Sequence, residues 1–321
     1  MEKQYHDNLI VSSAPHMVSP VDTTKIMGTV LIALAPAFVV GIYQFGYRAA
    51  VMTVVCIIAC VVFEWLFNKI LKRRQTVTDL SAALTGVLIA FNVPSTLPYW
   101  MAVIGCFVAV VIVKQLFGGI GQNLVNPAVT ARIVLFISFA TEMTTWPIPR
   151  GAGGLDGTTG PTPLGILSEG GGQMPSNLDL FLGNVGGCIG EVSALALLIG
   201  GIFLIWTKVI SPIIPVCFLG TVFVLALIIP GQDPIFHLCA GGLMLGAFFC
   251  ATDYVTSPIL PMGKVIFGIG CGVFTILIRV YGSYPEGVSF AILLINILTP
   301  HIDNFCTKRA YGKGGGKKDE K

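Results

Sequence analysis

Runs of about 20 apolar residues with almost no charge recur along this chain, and they constrain its fold more than any other feature. Of the 321 residues, 54% are hydrophobic and 11% are charged, whereas a soluble domain carries about 25% charged residues. An α-helix crosses a bilayer with about 20 mostly apolar residues. The composition therefore excludes a soluble globular enzyme and a disordered chain, and it predicts an integral membrane protein.

A window of about 19 residues separates ten apolar stretches, each of which we interpret as a transmembrane helix. They lie near 26–45, 49–67, 80–92, 99–117, 123–140, 187–206, 212–229, 236–252, 264–281 and 288–302. The first stretch lacks the pattern of a cleavable signal peptide, so we expect it to be retained. The predicted fold class is an all-α integral membrane protein of about ten transmembrane helices.

The basic residues predict how these helices are oriented, because short cytoplasmic loops are enriched in Lys and Arg. Basic side chains follow the second, sixth and tenth stretches: Lys69, Lys72, Arg73, Arg74, Lys208, Lys308, Arg309, Lys313, Lys317 and Lys318. The loop 141–186 is acidic, since Arg150 is accompanied there by Glu142, Asp156, Glu169 and Asp179. We therefore expect both termini in the cytoplasm and this loop outside. The net charge of +3 is small, and no nucleic-acid partner is expected.

A weak pattern of Gly and Pro residues relates the two halves of the chain. The positions 84–86, Pro94, Pro98, Gly105, Gly118 and Gly121 correspond to 243–246, Pro258, Pro261, Gly268, Gly282 and Gly287. Five helices in each half would invert the second copy in the membrane; the alternative is a chance recurrence of Gly and Pro. The predicted organisation is a cytoplasmic segment 1–25, a five-helix repeat 26–140, an outer loop 141–186, a second repeat 187–302 and a basic tail 303–321.

Two polar breaks interrupt the apolar stretches, where an unpaired polar group is costly. Asn123 and Asn126 precede Pro127, with Arg132 further along the same helix. They indicate either a capped helix whose Arg reaches the interface or a helix N-terminus that holds an electron-rich ligand. Asp253 lies at the second break, where it could line an ion path or cap the following helix. No metal site is expected, because the four histidines share no ligand spacing and no CxxC pair occurs.

The outer loop carries the most informative segment, Asp156-Gly157-Thr158-Thr159-Gly160-Pro161-Thr162-Pro163-Leu164. Gly-rich composition alone is typical of a flexible turn. A loop of this length on a compact membrane protein is nevertheless usually functional, and hydroxyls among glycines can approach a phosphate closely. A threonine there could be esterified by a phosphate.

The run from Asp156 to Thr162 resembles the flavinylation motif D-x-x-S/T-G-A-T, with Pro161 where the family usually has Ala. Further segments agree: Ser13-Ala14-Pro15-His16, Asp22-Thr23-Thr24-Lys25-Ile26-Met27, Asn126-Pro127-Ala128, Ala251-Thr252-Asp253, Ser257-Pro258 and Tyr284-Pro285-Glu286-Gly287. The chain resembles the RnfD family of the Rnf electron-transport complex, which is related to the NqrB component of the sodium-pumping NADH:quinone oxidoreductase. The likeness covers nearly the whole chain.

The resemblance implies that Thr162 carries FMN through a phosphoester bond placed by a flavin transferase, within a motif that includes Asp156, Thr159 and Gly160. It also implies assembly with the other Rnf subunits (A, B, C, E and G) in a bacterial or archaeal cytoplasmic membrane. The complex passes electrons between ferredoxin and NAD+ and moves Na+ or H+. A second, noncovalent flavin (riboflavin or FMN) at Asn123 and Asn126 is left open, and Asp253 is a candidate for the ion path.

The implied role is that of a subunit that is not catalytic alone, because no nicotinamide or iron-sulfur motif is present. We therefore assign no catalytic residue. A secondary transporter with an inverted-repeat fold and no flavin is the main alternative. A purely structural membrane anchor is a further alternative, which the two polar breaks disfavour.

Overall fold

The computed structural model describes residues 22–73, 75–150, 159–169, 174–191, 193–282 and 286–307. Asp156, the segment 1–21 and the basic tail from residue 308 lie outside the described residues. The described chain is almost entirely helical, with one short pair of strands.

Five apolar helices form the first half of the chain. They are α1 (Thr23–Phe45), α2 (Tyr47–Ile70), α3 (Ser81–Phe91), α4 (Tyr99–Phe107, continued by a π-helix Val108–Gln115) and α5 (Pro127–Ser138). The Asp22 side chain accepts a hydrogen bond from the Thr23 N–H at 2.7 Å where α1 begins. Because α3 has only 11 residues, it is too short to cross a bilayer by itself.

Short elements follow on the way to the second half. They are α6 (Ala140–Met143), β1 (Trp146–Pro147), β2 (Thr159–Gly160), α7 (Pro163–Glu169) and α8 (Asn177–Leu182). The two strands are antiparallel, with Trp146 opposite Gly160. This pairing fixes the chain immediately before Thr162.

Six helices form the second half of the chain. They are α9 (Ala194–Trp206), α10 (Ile213–Ile228), α11 (Pro234–Cys239), α12 (Leu243–Leu245, continued by a π-helix Gly246–Cys250), α13 (Pro261–Tyr281) and α14 (Val288–Thr307). The stretch predicted as one helix at 236–252 is therefore two short helices. The break includes Gly241, whose φ of +64° favours glycine.

Two other predicted helices begin later than the hydropathy pattern indicates. The fifth begins at Pro127 rather than at 123, because Asn126 caps it. The sixth begins at Ala194 rather than at 187. The residues 187–191 are therefore outside any helix, which places Cys188 and Glu191 in a turn region.

Four of the described helices, α1, α2, α13 and α14, are long and apolar enough to cross a membrane. Five shorter apolar helices accompany them: Ser81–Phe91, Tyr99–Gln115, Pro127–Ser138, Ala194–Trp206 and Ile213–Ile228. The chain is a mostly helical membrane protein, as predicted. The arrangement of ten helices as an inverted repeat remains a prediction.

The helix bundle has two ends that differ in charge. Helices α1 and α9 are antiparallel, since Gly41 contacts Ile189 while Ala33 contacts Gly200. The end where α1 begins and α2 and α9 finish is called here the lysine-rich end; it carries Lys25, Lys69, Lys72, Lys208 and Lys264. The opposite end, which holds β1, β2, α7 and α8, is called the outer end.

Candidate functional site

A cavity of about 110 Å³ opens at the lysine-rich end between the two halves of the chain. Its walls are mostly apolar and come from α1, α3, α5, α9 and the turn after the second π-helix. The polar side chains that line it are Ser81, Thr85, Lys114, Asn123, Asn126, Thr252, Asp253 and Tyr254. The structure thus brings both predicted polar breaks to one cavity, which we call the Asn126 cavity.

Asn126 has two roles in the wall of this cavity. Its Oδ1 accepts hydrogen bonds from the backbone N–H groups of Ala128 at 3.0 Å and Val129 at 3.2 Å, which caps α5. Its Nδ2 donates to the carbonyl oxygen of Cys250 at 3.2 Å. Asn123 donates to the carbonyl oxygen of Val125 at 3.1 Å. The first-turn N–H groups of α5 are thus taken by the cap, while each side-chain amide has a second N–H that an electron-rich ligand in the cavity could accept.

Asp253 lines the same cavity. Its carboxylate accepts from the Val255 N–H at 3.4 Å and from the Thr256 hydroxyl at 3.3 Å. Asp253 is not the cap of the following long helix, because α13 begins after Leu260. Its hydrogen bonds instead hold the turn 253–257, in which the Ser257 N–H donates to the Asp253 carbonyl oxygen at 3.0 Å. Burial raises the pKa of the Asp253 carboxyl.

A buried ion pair behind this cavity was not predicted from the sequence. Lys114 Nζ lies 2.8 Å from Glu64 Oε2 and donates to Ser81 Oγ at 2.6 Å. Glu64 also accepts from the Thr76 hydroxyl at 2.5 Å. In the sequence, Glu64 and Lys114 are single charges inside two different apolar stretches, which indicates that each needs a buried partner. The parallel packing of α2 and α4 brings the two together.

Thr162 lies at the outer end, immediately before α7. Its Oγ1 accepts a hydrogen bond from the Gly165 N–H at 3.0 Å, and the residue is 7% exposed. A Cβ at position 165 would lie 3.2 Å from this oxygen, so glycine keeps the space beside the hydroxyl open. Thr159 and Gly160 form β2, which pairs with β1 just before Thr162. Of the motif residues that the structure describes, Thr162 is buried and Thr159 is exposed.

A second, small cavity of about 10 Å³ begins at Thr162 and has room for about one water molecule. Its lining includes Glu191, Glu286 and Cys239, together with the glycines Gly186, Gly187 and Gly241. We call it the Thr162 cavity. It places the predicted modification site against two buried carboxylates.

Arg132 connects these carboxylates. Its guanidinium forms ion pairs with both Glu191 and Glu286 and donates to Asn92 Oδ1 at 2.8 Å. The Arg132 side chain is 6% exposed. The interpretation of Arg132 as a side chain that reaches the membrane interface is therefore wrong: it points into the bundle, where two acids neutralise it.

The two acids and Cys188 place their ligand atoms within 4.8 Å of one another, a spacing that could hold a metal ion. The Arg132 guanidinium bonds to both carboxylates and approaches Cys188 Sγ at 3.6 Å. A cation of the protein itself thus occupies the centre of this group. Glu286 lies between α13 and α14, outside both helices, and burial raises the pKa of its carboxyl despite Arg132.

A second buried arginine stands beside the Thr162 cavity. Arg279 donates to the carbonyl oxygens of His237 at 2.6 Å and Ala240 at 2.8 Å, which closes the end of α11. A Cβ added at Gly241 would lie 3.4 Å from Arg279 Nη2 and 2.8 Å from Leu164 Cδ1. Gly241 therefore lies close to both Arg279 and Leu164 of α7, with no room for a side chain. The set Arg132, Glu191, Glu286 and Arg279 is called here the charge cluster.

Sequence reasoning missed Glu191 and Arg279, and it noted Glu286 only within a resembling segment. All three are isolated charges at the edges of apolar stretches. Because such charges are costly in lipid, their presence there could have indicated buried ion pairs. The three side chains meet because the chain is not helical at 187–191 and 240–242.

The fold and these sites define a class: a multi-pass membrane protein with a donor-rich cavity at one end and a threonine beside buried charges at the other. The sequence model of the NQR2, RnfD, RnfE family matches residues 10–312. The chain belongs to this family.

Similar proteins cover nearly the full length of the chain. It is 50% identical to the D component of the Na(+)-translocating ferredoxin:NAD(+) oxidoreductase complex of Acetobacterium woodii, over 98% of both chains. It is 43% identical to the D component of the proton-translocating ferredoxin:NAD(+) oxidoreductase complex of Clostridium ljungdahlii, over 97% of this chain and 98% of that one. It is 41% identical to the D component of the ion-translocating oxidoreductase complex of Stutzerimonas stutzeri, over 90% and 92%.

Proposed function

We propose that this chain is the RnfD component of an ion-translocating ferredoxin:NAD+ oxidoreductase complex. Relatives that match over nearly their whole length are described as the D components of such complexes. The chain itself has no nicotinamide or iron-sulfur motif, so the remaining subunits and their centres must supply ferredoxin oxidation and NAD+ reduction. Relatives described as Na+- and H+-translocating are both similar to it, and either ion fits the proposal.

The central element of the proposal is FMN bound covalently to Thr162. The observation that carries it is the position of Thr162, the last residue of the motif. Its hydroxyl lies beside Gly165, which leaves space for a substituent, and it lines a cavity that has Arg132 and Arg279 close by. A phosphoester is an anion, and Arg132 and Arg279 supply the positive charge that offsets Glu191 and Glu286 beside it. Because the Thr162 cavity holds about one water, the flavin ring would lie outside it.

When bound, FMN supplies electron transfer in single steps, which links one-electron and two-electron carriers. The chain's own residues attach and orient it. β2 fixes the backbone before Thr162, and the Gly165 N–H orients its Oγ1. Arg132 and Arg279 place positive charge behind the attachment point. Since Thr162 is nearly buried, we infer that the flavin transferase reaches it before or during an opening of the segment 159–169.

A noncovalent flavin, riboflavin or FMN, is proposed for the Asn126 cavity. The apolar walls suit a flat aromatic ring, while Asn123 and Asn126 each have a second amide N–H for its electron-rich edge, near the positive end of the α5 dipole. Asp253 gives the same cavity a carboxylate, whereas Lys114 on its wall is already paired with Glu64. We propose that Asp253 lines the ion path from this side.

Both termini are proposed to be cytoplasmic, with Thr162 outside. The lysines at one end of the bundle and the acidic residues at the other support this orientation. An inverted five-helix repeat is supported by element order: α4 begins at Tyr99 and α13 at Pro261, and α5 begins at Pro127 and α14 at Val288, the same interval to within one residue. Each half also contains a short helix, α3 with 11 residues and α12 with three, and short helices are a feature of other inverted repeats.

The proposal is tested by the intact mass of the full chain co-expressed with a flavin transferase. We expect the wild-type chain to be heavier by one FMN less one water, with flavin fluorescence that persists after denaturation. Thr162→Ala should lose both signals and Thr162→Ser should keep them, because the acceptor is a hydroxyl. Thr144→Ala, an exposed threonine just before β1 and outside the motif, is the matched control and should be modified as in wild type.

Two results would contradict the attachment. One is a fully modified Thr162→Ala chain, and the other is an unmodified wild-type chain in the presence of active transferase. The second result, combined with uptake of a solute by the chain alone in vesicles, would favour the secondary transporter.

A further inference from the structure

Two short segments, one from each half of the chain, separate the Asn126 cavity from the Thr162 cavity. The first is the start of α5, where Asn126 lines the Asn126 cavity and Arg132 pairs with the two acids that line the Thr162 cavity. Positions 126 and 132 are separated by about 9 Å of helix. The second is the segment 242–250, which comprises α12 and the π-helix after it.

These two segments run in opposite directions and are in contact at both ends. Toward the lysine-rich end, Asn126 Nδ2 donates to the Cys250 carbonyl oxygen at 3.2 Å. Toward the outer end, a Cβ added at Gly242 would collide with Glu191 Oε1 and would lie 3.3 Å from Arg132 Nη1. Glycine at position 242 therefore allows the backbone of the second half to approach the Arg132 ion pairs closely.

Apolar side chains fill the space between these two contacts. Val129 on α5 and Leu243 and Ala247 on the segment 242–250 belong to one buried core, and each is at most 1% exposed. The two cavities are therefore separated by a short apolar layer, with Arg132 on its outer side.

Arg132 holds the two halves together at the outer side of this layer. It lies on α5 of the first half, whereas Glu191 precedes α9 and Glu286 precedes α14 in the second half. It also donates to Asn92 Oδ1 at 2.8 Å, at the end of α3. A guanidinium can bind several acceptors at once because it has five N–H donors. Its fixed positive charge also repels a cation that enters from either cavity.

The lysine-rich end is held together differently. In the described part of the chain, the remaining ion pair is that of Lys114 with Glu64. It joins the π-helix after α4 to α2, which are both in the first half. The ion pairs that connect the halves thus lie at the outer end, while the Asn126 cavity opens at the lysine-rich end.

We propose that the ion pairs of Arg132 with Glu191 and Glu286 form a gate, which closes the outer end of an ion path between the two halves. The gate opens when α5 and the segment 242–250 separate, and the Asn126 cavity then becomes accessible from the outer end. This inference rests on the proposed function, in which Asp253 lines the ion path from the lysine-rich end. Such a path must be closed at one end at any time, because otherwise the ions return along their gradient.

The test measures from which end of the bundle the Asn126 cavity can be reached. Thr85 on α3 lines this cavity, and Thr85→Cys introduces a thiol of similar size. The full-length chain is treated with a small membrane-impermeant thiol reagent in wall-stripped cells and in inverted membrane vesicles, and peptide masses assign the label to position 85. Met174→Cys, exposed at the outer end, shows which preparation presents that end to the reagent.

The gate is removed by Arg132→Gln combined with Glu191→Gln, which eliminates one charge of each sign and so avoids an unpaired buried charge. Lys114→Gln combined with Glu64→Gln is the matched control, because it removes the buried ion pair that does not connect the halves. Both pairs of substitutions are made in the Thr85→Cys chain. The quantity compared is the labelling rate from the outer end divided by the rate from the lysine-rich end.

We expect the Thr85→Cys chain with an intact gate to be labelled mainly from the lysine-rich end. Removal of the gate should raise the ratio by about tenfold or more, because labelling through a rarely open state is proportional to the population of that state. The control should keep the ratio of the Thr85→Cys chain.

An unchanged ratio without the gate would overturn the inference. An equal rise in the control would also overturn it, because the effect would then be a general loosening, and so would equal labelling of the Thr85→Cys chain from both ends. If the gate variant does not fold, Glu286→Asp takes its place, since it keeps the charge and shortens the side chain; a smaller rise would support the gate, and no rise would overturn it. Labelling requires no flavin, so the intact mass tests the proposed function separately.

Discussion

Asn126 donates its side-chain N–H to the carbonyl oxygen of Cys250 at 3.2 Å. This hydrogen bond joins α5 of the first half to the π-helix that ends at Cys250 in the second. Because the same side chain caps α5, one residue fixes both the helix N-terminus and the junction of the halves. The shape of the Asn126 cavity depends on this contact.

Asn126→Ala should lower the stability of the chain and weaken the binding of the proposed noncovalent flavin in the Asn126 cavity. The loss of the cap and of a buried hydrogen bond should reduce the free energy of unfolding by about 1–3 kcal/mol, read as a lower melting temperature in detergent. Noncovalent flavin released by acid should fall with it. Asn123→Ala is the comparison, since it removes an amide from the cavity and leaves the cap: flavin should decrease with little change in melting temperature. Unchanged flavin in both variants would contradict the proposed ligand.

The outer position of the Thr162 segment predicts which cysteines a membrane-impermeant thiol reagent can reach. Met174 is exposed next to α8, and Met174→Cys should be labelled in intact, wall-stripped cells. Lys72→Cys at the lysine-rich end should be labelled only after lysis, because the basic end is proposed to be cytoplasmic. The opposite pattern would invert the topology.

Asp253→Asn should separate flavin attachment from ion movement. Thr162 lies at the other end of the bundle, so the covalent flavin should be unchanged. Ion transport driven by ferredoxin oxidation in vesicles that contain the whole complex should decrease per electron, because the variant removes the negative charge from the cavity. Asp179→Asn, a half-buried acid at the outer end, should leave transport as in wild type. Equal transport per electron in Asp253→Asn would limit Asp253 to holding its turn.

Gly86→Ala should destabilise the packing of α3 against α2. A Cβ at this position would lie 2.8 Å from the carbonyl oxygen of Cys56 and from Cα of Ile57, and overpacking of this kind costs about 1–3 kcal/mol. Gly220→Ala on α10 is the matched control, since no atom lies within 4 Å of its Cβ position. That variant should be as stable as wild type or more stable, because Ala favours a helix by up to about 1 kcal/mol. Equal melting temperatures for both variants would contradict the close contact.

Much of the architecture followed from the sequence because bilayer helices have a strong and local signal. The bounds of α1, α2, α10 and α14 came within about five residues of the hydropathy pattern, since apolar length decides them. The pattern failed at 236–252, where Gly241 and Gly242 break a stretch that is apolar throughout. Hydropathy measures composition and carries little information on backbone breaks.

The sequence by itself determined that the chain lies in a membrane, that its apolar stretches are helical, and that Thr162 ends a motif resembling a flavin attachment site. Only the tertiary structure decided that Asn126 and Asp253 share a cavity, and that Arg132 lies between Glu191 and Glu286. The reason is physical: membrane insertion depends on residues that are neighbours in sequence. A buried charge, in contrast, must be balanced by whichever side chains the folded helices bring to it, and here those partners are 59 and 154 positions away along the chain.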